Sequence, residues 1–186
     1  MGLIELFRRS VSEFDRRVQA VGEDQWDNPT PCTEWSVRDL VNHIVYEARW
    51  ASPLLAGKTL EEVGDRFEGD LLGDDPKGAW KEASEEAVAA TSSLDLDQMV
   101  HVSWGQIPAQ EYLGQLFQDH LIHGWDLARG TSGDDKLDPD LVEACWVGAK
   151  EQDEVIRASG VFGDQVEVGA DADTQTKLLA LLGRRS

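Results

Sequence analysis

The sequence is short of basic residues, of cysteine and of long apolar runs. In 186 residues it sets 17 lysines and arginines against 36 acidic side chains, for a formal charge of −19 and a pI near 4.4. So acidic a surface repels phosphate backbones and anionic headgroups, so neither nucleic acid nor a membrane surface is an expected partner. No apolar stretch approaches the roughly 20 residues that a helix needs to cross a bilayer. The opening MGLIELFRRSVSEFDRR is charged and amphipathic, without the apolar centre of a secretory signal. The two cysteines, Cys32 and Cys145, form no motif, as suits reduced thiols, and a cytoplasmic protein is expected. Also missing are G-x-S-x-G, C-x-x-C, a Walker loop and G-x-G-x-x-G. The G-T-S-G at 130–133 follows a helical pattern instead of opening one, so it reads as a helix end.

What the chain does have is helical periodicity. Leu3, Phe7, Val11, Phe14, Val18 and Val21 form one stripe of a first helix. DNPTPCTEW (27–35) reads as a loop. A second helix starts at Ser36, where Ser36 and Asp39 are spaced as a capping box, and Val37, Leu40, Val41, Ile44, Ala48 and Ala51 make its apolar face. Residues 56–75 read as a long, glycine-rich connection. Asp75-Pro76 and Asp138-Pro139 each suit an N-cap followed by proline at the first helical position. They open a third helix carrying Trp80, Ala83, Ala87, Ala90 and Leu94, and a fifth carrying Val142, Cys145, Trp146, Ala149 and Ile156 up to a stop at Gly160. Between them, MVHVSWGQIP (99–108) suits a small hairpin or an extended crossover, and a fourth helix covers about 109–129. The seven tryptophans are assigned mainly to core and staple positions, with one or two available to line a pocket mouth, and a short helix is expected near 173–183. The fold class is all-α, a bundle of four long helices with one long crossover loop. One domain is expected, with residues 1–159 as the bundle and 160–186 as an extension packed on it.

The chemistry concentrates on two of these helices. On the fourth, Leu113, Leu116, Phe117, His120, Gly124 and Leu127 share a face, and Asp119 and His123 form an i, i+4 pair on its flank. Asp126 follows three residues later, nearer solvent. On the second, His43 and Glu47 are another i, i+4 pair. Two imidazole–carboxylate pairs on two core helices suit a metal site between them, for Zn²⁺, Ni²⁺, Mn²⁺ or Fe²⁺ before Ca²⁺ or Mg²⁺. The same residues also suit local ion pairs and a hydrogen-bonded core histidine, and spacing alone leaves both readings open. His101 is assigned to the surface of the hairpin.

PTPCTEWSVRDLVNHIVYE (29–47) and LFQDHLIHGWDLARGTSG (116–133) resemble the signatures of the DinB-like superfamily. They are most similar to its actinobacterial branch related to the N-terminal domain of mycothiol-dependent maleylpyruvate isomerase. FGDQVEVGADADTQTKLLALLGRR also resembles the ending of that branch, so the likeness spans nearly the whole chain. The resemblance implies a four-helix bundle holding a divalent metal through His43, Asp119 and His123. Zinc is the expected ion, with nickel or manganese as alternatives, and Glu47, His120 and Asp126 stand as supporting or substitute groups. It further implies a low-molecular-weight thiol, mycothiol, as cofactor and a small electrophile as substrate, for a transferase or isomerase. Where the isomerase has glutamate this chain has Asp119, one methylene shorter, which bears on whether the carboxylate reaches the ion. The competing expectations are a non-catalytic metal- or ligand-binding bundle and a metal-dependent hydrolase. The chain is expected as a monomer or homodimer.

Overall fold

The computed structural model describes residues 1–152, 154 and 163–185. Its elements run α1 (Leu3–Ala20), α2 (Val37–Leu55), α3 (Leu60–Val63), α4 (Pro76–Ala90), β1 (Met99–Val102), β2 (Gly105–Pro108), α5 (Ala109–Gly130), α6 (Pro139–Glu151) and, after the undescribed stretch, α7 (Thr174–Leu181). Ile156 and Gly160, expected to extend and to end the fifth helix, lie outside the described residues.

The starts of these helices follow from local chemistry. The Ser36 side chain accepts from the Asp39 N–H while the Asp39 carboxylate accepts from the Ser36 N–H, so two otherwise unpaired donors are satisfied together. Asp75 and Asp138 cap α4 and α6, each followed by proline. A second reciprocal box, Thr59 with Glu62, starts the one-turn α3 inside the connection that composition alone reads as loop. β1 and β2 form an antiparallel hairpin with Val100 opposite Ile107.

The chain divides into two compact units, Met1–Asp135 and Lys136–Ser186. In the first, α1 packs on α5, α2 packs on α4 and α5, and α1 also meets α4. These four long helices make the bundle. Its core is the set of stripes read from the sequence: Phe7, Phe14 and Val18 of α1, Leu40 and Ile44 of α2, Trp80 and Ala83 of α4, and Leu113 and Leu127 of α5 are fully excluded from solvent. In the second unit α6 packs on α7, with Leu141, Cys145, Leu178 and Leu179 buried. The fifth helix, expected with the bundle, thus has its partner in the C-terminal helix.

The tryptophans differ in burial. Only Trp80 and Trp125 are fully buried, and Trp104, at the hairpin tip, is 67% exposed. A two-residue turn projects its side chains away from any core, whatever their hydrophobicity.

Candidate metal centre

α2 and α5 pack together, and their polar flanks meet. His43 Nε2 lies 3.1 Å from Asp119 Oδ2, across 76 positions of sequence. His123 Nε2 lies 3.7 Å from the other oxygen, Asp119 Oδ1. The carboxylate thus bridges the two imidazoles, and one donor atom from each of the three residues falls within 4.8 Å of the others. Nitrogen and oxygen donors around a tetrahedral zinc stand roughly 3.4 Å apart, by the usual bond lengths. The spacing here therefore suits one ion with little rearrangement. Aspartate, although shorter than glutamate, reaches both histidines.

Electrostatics follow from this triangle. Burial alone would lower the His43 pKa, but the hydrogen bond and negative charge of Asp119 outweigh it and hold His43 above its usual value. Burial works against the charged form of Asp119, yet the hydrogen bond from His43 and the charges of His123 and His43 push it down to about 2. Without a cation, Asp119 favours the protonated form of His43 across the helix seam.

Asp126 differs from its sequence placement. It sits nowhere near solvent: it is completely buried, with Oδ2 3.0 Å from His123 Nδ1. A carboxylate there accepts the Nδ1 proton and leaves the Nε2 lone pair directed at the Asp119 side. The burial comes from the loop before α2, which lies over this flank. Asn28 Nδ2 donates to the Gly130 carbonyl and Gln25 Nε2 to the Thr131 carbonyl, tying the loop to the end of α5. Gly130 permits the approach, since a Cβ there would stand 3.0–3.2 Å from Val37, Thr30 and the Pro29 carbonyl.

The same loop delivers two residues that sequence reasoning missed. Cys32 Sγ lies 3.2 Å from Asp126 Oδ2 and 3.6 Å from His123 Nδ1. The Trp35 indole packs against both imidazoles in tilted contacts, with ring centroids 4.8 Å from His43 and 5.8 Å from His123. Glu34, between them, has φ of 78°, a left-handed conformation unusual for a side-chain-bearing residue. The available signal was position: Cys32 and Trp35 both fall inside the P-T-P-C-T-E-W stretch that leads into His43.

The other sequence candidates sit apart. His120 is buried in the bundle core, its Nδ1 bonded to the Leu116 carbonyl and its ring edge-on to Phe7 and Phe14. Burial lowers its pKa, so it stays neutral. It belongs to neither group of clustered donors. Glu47 is also outside both groups. Burial, and then the Asp119 carboxylate, push its carboxyl up to about 7 against a smaller opposite pull from His43. Tyr112 stands two turns before Asp119 on α5; its hydroxyl is buried without a hydrogen-bond partner among the described residues, and burial raises its pKa. His101 lies on β1 beside Gln106, as its hairpin placement implies. No helix among the described residues is long and apolar enough to cross a membrane.

Comparison with known proteins agrees with this architecture. Residues 7–128 match the family model of the mycothiol maleylpyruvate isomerase N-terminal domain. Two uncharacterised proteins of Mycobacterium tuberculosis, from two strains, are each 30% identical over 95% of this chain and 94% of their own length. Among solved structures, mycothiol-dependent maleylpyruvate isomerase superposes with a TM-score of 0.65 at 17% identity, over 89% of this chain and 75% of that one. A mutant of it with one histidine replaced by alanine gives the same TM-score at 16% identity. That likeness shows a shared fold, the DinB-like helical bundle. With residues 7–128 matched by its model, the chain belongs to the mycothiol maleylpyruvate isomerase N-terminal domain family.

Proposed function

We propose that this protein is a divalent-metal enzyme that uses a low-molecular-weight thiol, mycothiol in the family's own terms, to transfer or isomerise a small electrophile. The observation that carries the proposal is the convergence of His43 Nε2, Asp119 and His123 Nε2 on one point between α2 and α5. Two imidazoles and a carboxylate suit zinc first, then nickel or manganese. A divalent cation held there supplies a lowered thiol pKa, and so a nucleophilic thiolate at neutral pH.

The chain's own residues would do the rest. Asp126 holds the Nδ1 proton of His123, which fixes the tautomer and keeps Nε2 free to ligate. His43 must give up its proton before it can ligate, and Asp119 is the group that now stabilises that proton. The Trp35 indole packs beside both histidines, tilted to each ring, and would form one wall of the site. Glu47, one turn beyond His43, offers a carboxyl suited to exchange a proton with a substrate, its pKa raised by burial. The unpartnered Tyr112 hydroxyl is a donor that a polar electrophile would satisfy.

Cobalt substitution tests this reading. The variant Cys32→Ala serves as background, so that the protein's own nearby thiol cannot supply the signal. Titrating mycothiol into the cobalt-loaded protein should give a thiolate-to-metal charge-transfer band, and His43→Ala should remove it. A cobalt-loaded protein that never shows the band has no thiol chemistry of this kind.

A further inference from the structure

His123 faces a different set of donors from each of its two ring nitrogens. Nε2 looks toward Asp119 and His43, and Nδ1 toward Asp126 and Cys32. The second set also places one donor atom per residue within 4.8 Å of the others. Its edges are 3.0 Å from Nδ1 to Asp126 Oδ2, 3.2 Å from Cys32 Sγ to that oxygen, and 3.6 Å from Sγ to Nδ1. Donors of these types on a tetrahedral zinc would stand about 3.4, 3.6 and 3.6 Å apart. Every edge therefore agrees to within a few tenths of an ångström. The set differs in kind from the first because it includes a sulfur, which shifts its preference toward soft cations. It is also reachable: Cys32 is only partly buried, whereas Asp126 and His123 form the floor.

We infer that Cys32, His123 Nδ1 and Asp126 form a second metal site, selective for thiophilic divalent cations and mutually exclusive with the site made by His43, Asp119 and His123 Nε2. Exclusivity holds for the neutral imidazole, because two cations at once would need a bridging imidazolate, stripped of its last ring proton. A neutral ring has one nitrogen with a lone pair and one that bears a proton. With a cation on Nε2, the proton sits on Nδ1 and Asp126 accepts it. With a cation on Nδ1, the proton moves to Nε2, which faces Asp119 Oδ1 at 3.7 Å. As the sulfur–metal bond forms, the Cys32 thiol releases its proton to solvent, so no oxidant or reductant is involved. A soft cation in excess thus disables the first site by taking His123 from it without entering it. The existence of the second site is independent of the proposed function; the exclusivity rests on that reading.

The test uses cadmium ion alone, added to the metal-free full-length chain with no other thiol present. One cadmium per chain should bind and give a sulfur-to-cadmium band in the ultraviolet. Cys32→Ser should abolish the band, whereas His43→Ala and Cys145→Ser should leave it. His123→Ala should weaken binding about tenfold or more, as expected on loss of a ligand or its support. Cadmium should also protect Cys32 of the wild-type chain from alkylation, a readout that needs no variant to fold. A band that survives Cys32→Ser, no band at all, or unprotected Cys32 overturns the site. Two cadmium ions bound together with His123 intact overturn the exclusivity. Loss of a resident metal in His43→Ala reads the first site alone, so either reading can fail without the other.

Discussion

Replacing Asp126 by asparagine separates the support of the metal centre from its ligands. Asp126 is wholly buried, and its Oδ2 lies 3.0 Å from His123 Nδ1. A hydrogen bond to an ionised acceptor contributes about 1.5–3 kcal/mol, against about 1 kcal/mol for a neutral one. The amide therefore gives up about 0.5–2 kcal/mol of the interaction that keeps the Nδ1 proton in place. At 1.4 kcal/mol per decade, that is a fall in metal affinity of about 2- to 30-fold. Its upper part overlaps the range of about 10–100-fold for groups that orient a ligating histidine. The assay is competition against a chelator of known affinity, in a Cys32→Ala background where the sulfur donor set cannot hold the ion. Circular dichroism normalises for folded protein. Affinity within about twofold of the background would show that Asp126 does not support His123, since that is under 0.5 kcal/mol. A loss as complete as that from His123→Ala would make Asp126 a ligand of the first site and refute the tautomer argument.

Other perturbations have a definite sign. Metal affinity should fall as the pH drops through the raised His43 pKa, approaching tenfold per pH unit, because binding must expel the proton that Asp119 stabilises; a chelator competition series between about pH 8 and 6 reads it. For the metal-free chain, Glu47→Gln should raise Tm at about pH 8 and leave it unchanged near pH 4. The Glu47 pKa is about 7 in the folded chain against an ordinary 4.5, so the folded state binds the proton more tightly and the penalty for charging grows between those values; equal effects at both pH values would contradict it. Ser36→Ala breaks the capping box at the start of α2 and should cost about 1 kcal/mol, or about 2–4 °C in Tm for a domain of this size.

The helices were legible because their causes are local. The stripes of α1, α2 and α5 and the caps at Ser36, Asp75 and Asp138 each depend on residues within a turn or two, and each sits where the pattern places it. The Thr59–Glu62 box at α3 was equally local, but the surrounding glycines outweighed it. The i, i+4 pairing of Asp119 with His123 was also readable, since helical spacing alone puts them on one flank. The environment of that flank was not. Periodicity turns Asp126 away from the α5 core face, and only the 29–36 loop, folded over the end of α5, makes it an interior residue. Cys32 meets His123 and Asp126 across 91 and 94 positions, and no local rule links them. Glu34, whose positive φ lies between Cys32 and Trp35, has a residue type that gives no hint of that geometry.

The most direct measurement is an anomalous-scattering map from crystals of protein prepared without an affinity tag or added metal. The account predicts one peak about 2.0–2.2 Å from His43 Nε2, an Asp119 oxygen and His123 Nε2. An ordered site with no peak there, or a peak beside His123 Nδ1 alone, would contradict it.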